Sequence, residues 1–317
     1  MQRYRASRLA IIGTLAMNLQ YCQLTDDHLD EAVAFMRDAN PFAQHTWGWD
    51  TGRFVDWRWG GNTLRNLEAP GFFARHGTLV RRHGTTVALV LAEVGADDHC
   101  ILTPKEDRSL LAAVLPKLVE DTEGGLLTLF PADDAVWITD VLSHAGFERG
   151  AIAGLEWGFE LSSRDEPVTP PQEFRIDTLA EDGEADYPKI DECLRGAFGG
   201  ARDRVAILRR LAMNPMFRPA LNIVARSADD RVAAYCRGTV DPDSGVCGID
   251  PVATHPDFQG RGLGKAIVRA CFATQARLGG RMSYIGSAPE PSPGSRLYQA
   301  LGPVTVTAHR RWKKRSA

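Results

Sequence analysis

The sequence predicts an α/β protein of two similar units in tandem, each with an α+β layering of one sheet flanked by helices. Its 317 residues are enough for two domains of ordinary size. The segment 163–172 is polar and proline-rich, which is typical of a linker. Strand-like and helix-like segments follow one another in the same order on both sides of it. We therefore expect domains at 17–162 and 173–317, called the first and second units below.

In the first unit, alternating apolar residues predict strands and a 3.6-residue period predicts helices. Thr25 is an expected N-cap, and His83-Gly84 is an expected hairpin turn. The predicted strands are 19–24, 78–82, 86–94, 100–103, 126–130 and 154–161, with helices at 26–37, 109–119 and 136–145.

The second unit repeats this order, and Gly279-Gly280 is expected to end its longest helix. The end segments 141–146 and 297–302 can be aligned on one another, which supports the duplication. The predicted strands are 174–179, 221–226, 232–240, 246–254, 282–286 and 304–312, with helices at 187–198, 204–213, 263–278 and 295–301.

Composition narrows the class of protein. Hydrophobic residues make up 44% and charged residues 24% of the chain, and the net charge is −3, which is typical of a soluble globular protein and does not suggest nucleic-acid binding. The basic cluster 309–315 is expected to be a solvated strand end. Six scattered cysteines without a Cys-x-x-Cys pair predict no disulfide framework and no metal site, and they favour a reducing cytoplasm. Residues 1–16 are interpreted as an upstream extension with Met17 as an alternative start, and no membrane contact is expected.

The most informative segment is 255–266, which places Gly260, Gly262 and Gly264 between a predicted strand and a predicted helix. Glycine allows positive φ and a close approach of the backbone to a ligand. A helix that starts after such a loop directs free N–H groups and its positive dipole end at one point. The pattern therefore predicts a pyrophosphate site. The matching loop of the first unit, 104–109, has no glycine and carries two acids, so we expect only one unit to bind a phosphate.

Two common phosphate motifs do not fit. A Walker A loop requires a hydroxyl after Gly264-Lys265, and Ala266 has none. A Rossmann fingerprint requires a third glycine where Lys265 stands, and it opens a domain rather than following a hairpin.

The run Gln259–Gly264 instead matches Gln/Arg-x-x-Gly-x-Gly/Ala, the acetyl-CoA loop of the GCN5-related N-acetyltransferases (GNAT). Residues 250–256 resemble the fourth strand of that family, and residues 295–302 resemble its Leu-Tyr-x-x-x-Gly helix. The similarity is specific over about 220–302 and only architectural before the linker. The whole chain resembles tandem members with one active and one degenerate copy.

The second unit departs from the family pattern at three positions around the predicted helix 295–301. Pro291 and Gly294 stand where the family has Asn and Ala, and Pro303 stands where it has Phe. The contacts that the family's Asn usually makes are therefore not expected here.

The resemblance implies a mixed, mostly antiparallel sheet in each unit, with splayed strands 4 and 5, and acetyl-CoA as the cofactor. Arg261 and Lys265 are expected either to contact the pyrophosphate or to be solvated cations at the helix start. By the same resemblance Val252 N–H would polarise the thioester carbonyl. The residues implied to hold CoA are Gln259, Gly260, Arg261, Gly262, Leu263, Gly264 and Lys265 at the pyrophosphate and Val252, Ala253 and Thr254 along the pantetheine arm.

Tyr298 is the implied general acid toward the leaving thiolate, and its counterpart in the first unit is Leu142, which cannot donate a proton. Asp250 is either the base that accepts the amine proton or a carboxylate paired at a strand edge. His255 is a weaker alternative base, since a His-Pro pair also shapes turns.

These expectations describe an acetyl-CoA-dependent N-acetyltransferase acting by direct transfer to a primary amine of a small molecule, with the second unit catalytic. The alternatives are an acyl-CoA-binding regulatory protein without turnover and an inert scaffold. The acceptor pocket is expected at 198–216, with the first unit as one wall. The aromatic side chains of the first unit are interpreted as core or inter-domain packing rather than a ligand site: Trp47, Trp49, Phe54, Trp57 and Trp59.

Overall fold

A computed structural model describes residues 18–61, 72–92, 95, 97–122, 124–162, 169–179, 183–200, 203–289 and 291–316. The expected N-terminal extension and most of the linker lie outside these residues. The strands are β1 Leu19–Gln23, β2 Gly77–Arg82, β3 Thr85–Ala92, β4 Asp98–Leu102, β5 Leu126–Leu129, β6 Glu148–Glu160, β7 Phe174–Thr178, β8 Asn222–Ser227, β9 Val232–Asp241, β10 Val246–Thr254, β11 Met282–Ser287 and β12 Thr305–Arg315.

The α-helices of the described residues lie on both faces of the strands. A turn of π-helix at Trp57–Gly61 follows the second of them. None of the helices in these ranges is long and apolar enough to cross a membrane. They are α1 Leu29–Trp47, α2 Thr51–Asp56, α3 Phe72–His76, α4 Arg108–Asp121, α5 Val136–His144, α6 Tyr187–Phe198, α7 Arg204–Ala212, α8 Leu263–Arg277 and α9 Pro293–Gln299.

All of these strands form one sheet in the order β1-β2-β3-β4-β5-β12-β6-β11-β10-β9-β8-β7. The last strand of each unit therefore pairs with the fifth strand of the other unit. β6 pairs with β11 from Met282↔Glu160 to Ser287↔Leu155, and β12 pairs with β5 from Trp312↔Leu129 to Arg315↔Leu126. Neither of these last strands pairs with another strand of its own unit. Alternation along a strand shows which face is buried, but it does not show which partner the strand edge finds.

β10 and β11 diverge, as the family resemblance implied. Their parallel pairing covers only Val246 to Gly248 against Met282 to Tyr284. A bulge between Ile249 and Val252 follows on β10, and the residues after it pair with β9. The last third of β10 therefore has a hydrogen-bonding edge directed toward the gap between β10 and β11.

The second unit has a core on each face of its strands. Trp157, Ile267 and Tyr298 belong to the core under α8 and α9, and Tyr235 and Ala253 belong to the core under α6 and α7. Both faces of β8, β9 and β10 are therefore covered, which explains the near-continuous burial of β8 and β9.

The first unit has its own core, and the aromatic residues of the sequence analysis lie in it. Trp47, Trp49, Phe54 and Trp57 are all at most 4% exposed, so their interpretation as packing residues is confirmed. The sequence pattern predicts that the first helix ends at residue 37, and it predicts no separate helix in the aromatic segment. In the structure α1 continues through Pro41 to Trp47, and α2 follows it.

The two units are joined by buried polar contacts as well as by the exchanged strands. Arg237 of β9 donates from Nη1 and Nη2 to the two carboxylate oxygens of Asp56, at 3.0 and 2.6 Å. Asn214 also donates to Asp56, at 2.9 Å. Gly52 allows α2 to approach this strand, since a Cβ there would lie 2.5 Å from Thr239 Oγ1. These contacts hold α2 of the first unit on the sheet of the second.

The Asp56–Arg237 pair gives a test of this junction. Asp56→Ala leaves Arg237 buried without its counter-ion, and we expect a loss of about 3 kcal/mol or more in the free energy of unfolding, measured by urea denaturation. Asp121→Ala breaks the exposed pair with Lys117, 2.8 Å long, and is expected to cost less than about 1 kcal/mol. Equal losses in the two variants would contradict the role given to the buried pair.

Candidate active site

The glycine loop leads from β10 into α8 and leaves the start of this helix open. Gly260 and Gly262 have φ of 76° and 78°, and Gly262 is the N-cap of α8 without a side-chain cap. A Cβ at either position would meet nothing within 4 Å, so the backbone conformation, not space, requires glycine there. The N–H groups of the first helical turn have no partner within the helix and face this loop.

The corresponding helix of the first unit, α4, is capped by the side chain of its N-cap residue. Asp107 is the N-cap of α4 and accepts a hydrogen bond from Leu110 N, 2.9 Å long. A carboxylate therefore occupies the position where an anion would bind in the second unit. This contrast supports the expectation that only the second unit has a phosphate site.

The side chains around the glycine loop are already partly engaged. Gln259 donates to the carbonyl oxygen of Thr254, at 3.2 Å. Arg261 pairs with Glu173 at 3.4 Å and lies over the ring of Phe174, 5.8 Å from its centroid. Arg261 can therefore bind a phosphate only if its guanidinium leaves these partners or shares them with the ligand.

The other predicted loop residues differ in what they can offer. Leu263 is 1% exposed and packs in the core, so only its backbone can face a ligand. Lys265 is half-buried. Gly264 lets α8 and α9 approach one another, since a Cβ there would lie 3.2 Å from Leu297 Cδ2.

The predicted pantetheine residues lie on β10 after the bulge. Val252, Ala253 and Thr254 pair with Cys236, Tyr235 and Ala234 of β9. The pairing of β10 with β11 ends at Gly248, so these three residues line the gap between the diverging strands. Gap-lining backbone of this kind can accept an extended ligand as an added strand.

Tyr298 and Asp250 lie close enough to interact electrostatically. Tyr298 is 6% exposed, and its ring packs against Trp157 with centroids 6.3 Å apart. Burial raises the pKa of Tyr298, and the negative charge of Asp250 raises it further. Asp250 itself is exposed, at the bulge of β10, rather than buried in an apolar strand. The charge of Asp250 thus acts on the phenol of Tyr298, and these are the two residues that the sequence singled out for proton transfer.

His255 has a structural role in the turn before the loop. Its Nδ1 accepts a hydrogen bond from Asp257 N, 3.3 Å long, which caps the short turn at Pro256–Phe258. Its ring packs on α6, where a Cβ at Gly196 would lie 2.6 Å from His255 Cδ2. This geometry favours the turn-shaping interpretation.

The segment expected to build the acceptor pocket lies against the first unit. Met216 packs on the core of the first unit, and a Cβ at Gly60 would lie 2.3 Å from Leu211. Phe198 and Met213 are 57% and 64% exposed. The first unit therefore contacts this segment, as a wall of the pocket would, and the pocket itself stays a prediction.

Sequence reasoning missed a buried carboxylate at the junction of the units. Glu156 of β6 is 8% exposed, and a Cβ at Gly48 would lie 2.7 Å from its Oε2 and 3.3 Å from His309 Nε2 and Arg53 Nη1. Burial raises the pKa of Glu156 to about 7, although the positive charge of Arg53 lowers it. A single acid in the apolar run 151–159 was the available signal.

Comparisons with known proteins agree with this geometry. Residues 189–302 match the model of the acetyltransferase (GNAT) family. A search of curated proteins gives no match. Among solved structures, the chain is similar to a GCN5-related N-acetyltransferase from Sphaerobacter thermophilus, with 14% identity over 94% of this chain and 95% of that one and a TM-score of 0.60. It is also similar to a tandem GNAT protein from the clavulanic acid biosynthesis pathway, with 15% identity over 94% and 99% of the two chains and a TM-score of 0.61. At these identities the structural likeness establishes the fold.

The pKa of Glu156 predicts how stability depends on pH. The pKa of the Glu156 carboxyl rises from its ordinary value of 4.5 to about 7 in the folded protein. The folded state therefore holds this proton more tightly than the unfolded chain does. The resulting stabilisation is complete below about pH 4.5 and is lost as the pH rises to about 7. Relative to Glu156→Gln, we expect the native protein to lose up to about 3 kcal/mol of unfolding free energy over that range, measured by urea denaturation. Glu160→Gln changes an exposed acid on the same strand and should follow the native curve.

Proposed function

We propose that this chain is an acetyl-CoA-dependent N-acetyltransferase, because residues 189–302 match the model of the acetyltransferase (GNAT) family and the whole chain has the fold of a tandem GNAT protein. The acetyl group passes directly from the thioester sulfur to a neutral primary amine of a small molecule, so a C–S bond breaks and a C–N bond forms. The amine loses a proton, and the thiolate gains one. The second unit is the catalytic copy.

The observation that carries this proposal is the open start of α8 beside the free edge of β10. Two left-handed glycines precede an uncapped helix, while the equivalent helix of the first unit is capped by Asp107. The residues present fit CoA: backbone N–H groups and the helix dipole suit a pyrophosphate, and Val252 to Thr254 suit an extended arm. When bound, acetyl-CoA supplies an activated acyl group, and Val252 N–H would stabilise the charge that develops on its carbonyl oxygen.

Asp250 and Tyr298 divide the proton transfers in this proposal. The exposed Asp250 accepts the amine proton, directly or through water, and buried Tyr298 gives its proton to the thiolate. Burial and the charge of Asp250 keep the pKa of Tyr298 high, so the phenol is protonated before the reaction. When Asp250 takes up a proton its charge disappears, and Tyr298 becomes a stronger acid. The two transfers are thereby coupled.

A second candidate is an acyl-CoA-binding regulatory protein without turnover. Such a protein would need the open start of α8 and the free edge of β10, but not the proton transfers assigned to Asp250 and Tyr298. Thiol release from acetyl-CoA in the presence of a panel of primary amines separates the two, because a sensor binds the cofactor and releases none.

Tyr298→Phe tests the general acid. Loss of the hydroxyl should lower kcat by roughly a hundredfold or more, since a positioned acid contributes at least that much. The affinity for acetyl-CoA, measured by calorimetry, should stay unchanged. Tyr187→Phe removes another buried phenol, 5% exposed, from α6 and serves as the control. An unchanged kcat for Tyr298→Phe would show that Tyr298 is not the general acid.

Gly260→Ala tests the pyrophosphate loop. A Cβ at positive φ costs about 1 kcal/mol, and here it would also stand on the surface that the phosphate approaches, so we expect roughly tenfold weaker acetyl-CoA binding. Gly84→Ala is a matched control, with φ of 80° and nothing within 4 Å of its Cβ, in the hairpin between β2 and β3. It should show the same loss of stability without the loss of affinity. Equal affinities for the two variants would argue against the loop as the binding site.

A further inference from the structure

Arg237 lies opposite the bulge that carries Asp250. The residue pairs that flank this bulge leave two residues of β10, Asp250 and Pro251, against a single residue of β9, which is Arg237. Asp250 is exposed, whereas Arg237 is 5% exposed. The proposed base and a buried cation therefore lie at the same level on neighbouring strands, whose backbones are about 5 Å apart.

The guanidinium of Arg237 binds an acid of the other unit, across the junction. Its two terminal nitrogens donate to the carboxylate of Asp56, and Asn214 donates to the same carboxylate. Three N–H donors, two of them from a cation, stabilise the ionised carboxylate, so the pair carries no net charge. The Nε of Arg237 is buried and has no hydrogen-bond partner among the described residues. One N–H of this cation is therefore unused.

The charge of Asp250 reaches both members of the pair. Burial raises the pKa of Asp56, Arg237 lowers it, and the charge of Asp250 raises it further. Burial lowers the pKa of Arg237, but the charges of Asp56 and Asp250 raise it above its ordinary value. The interaction between two charges is mutual, so the charges of Arg237 and Asp56 act on Asp250 in turn.

Two phenols and an acid are the other titratable groups that face this point from the neighbouring elements. They are Tyr235 of β9, Tyr298 of α9 and Asp50 at the start of α2. Burial raises the pKa of both phenols, so they are neutral. Asp50 lies over β10, since a Cβ at Gly248 would be 3.6 Å from its Oδ2, and Arg53 accompanies it on α2. None of the three is a cation, so Arg237 supplies the positive charge that faces Asp250.

We propose that Asp56 of the first unit is a positioning residue for the base of the second unit: it binds the guanidinium of Arg237 and cancels its charge, so that the carboxylate of Asp250 stays free for the amine proton. Without Asp56, the charge of Arg237 would stabilise the ionised Asp250, and its N–H groups would compete for that carboxylate. Asp250 would then be a weaker base. This inference rests on the proposed function, because it takes Asp250 as the base.

This role differs in sign from that of a pair that only joins the units. A purely structural pair is disturbed at least as much by loss of both partners as by loss of one. An effect of charge on Asp250 depends on which partner is lost. Removal of Asp56 alone leaves an uncompensated cation, whereas removal of Asp56 and Arg237 together leaves none.

The test measures the pH dependence of kcat for thiol release from acetyl-CoA, with the primary amine that gives the highest rate in the panel. In Asp56→Asn we expect the acidic limb to move to lower pH by about one unit, as a nearby cation does to a carboxylate. The plateau of kcat should fall about threefold, since a weaker base accepts the amine proton less readily. The double variant Asp56→Asn, Arg237→Gln should recover at least half of both changes. Asp243→Asn removes an acid from another pair between the units, 3.0 Å from Arg37, and should change neither.

A carbon-13 NMR titration of the Asp56 carboxyl group gives a second readout, which needs neither turnover nor a folded Asp56 variant. Asp250→Asn removes an exposed acid whose charge raises the pKa of Asp56, so the pH midpoint of the Asp56 signal should fall by at least about 0.3 unit. An unmoved midpoint, or the same pH profile for Asp56→Asn and the double variant, overturns the proposal. Absence of both acetyl-CoA binding and thiol release with every amine overturns the proposed function and the role of Asp56 in it. The NMR titration then still decides whether the two carboxyl groups interact.

Discussion

The exchange of the last strands is the constraint on which the rest of this structure depends. β6 and β12 lie side by side at the centre of the sheet, and each is hydrogen-bonded to the fifth strand of the other unit. Neither unit has a complete sheet without the other. The exchange also places Trp157, which comes before the linker, against Tyr298 and within 2.9 Å of Ser287 Oγ. The surroundings of the candidate acid are therefore built from both units, although the residues resembling a catalytic domain all come from one.

The junction between the units includes buried polar contacts as well as the exchanged strands. The Asp56–Arg237 pair and the hydrogen bond from Asn40 to Ser244, 2.8 Å long, are specific in direction. Buried ion pairs add little net stability, because desolvation offsets the attraction, but a bidentate pair accepts only one geometry. In this chain that geometry holds α2 on β9 of the second unit. The polar junction thus fixes how the first unit lies on the sheet of the second.

The two units show how one fold keeps its architecture while its chemistry diverges. A helix start needs its free N–H groups satisfied, and a side chain or a ligand can do so. In the first unit Asp107 supplies the cap locally, so no ligand is needed. In the second unit Gly262 leaves the same groups open. Leu142 and Tyr298 occupy corresponding positions in the two units, and both pack in a core. Only the phenol of Tyr298 can donate a proton.

The sequence by itself determined most of the elements, the duplication, and the loop Gln259–Gly264, because these depend on local periodicity and on backbone conformations that only glycine adopts readily. It also proposed Tyr298, from its place in the Leu-Tyr-x-x-x-Gly pattern, and Asp250, from its place before the diverging part of β10, as candidates for proton transfer. It did not find the helix at Thr51–Asp56, where aromatic residues gave no clear period, nor the pairing of β6 and β12, since alternation specifies a face and not a partner. Only the tertiary structure brought Glu156 and His309 together with Gln44. Those residues are more than a hundred positions apart along the chain, and their chemistry depends on a burial that no local pattern encodes.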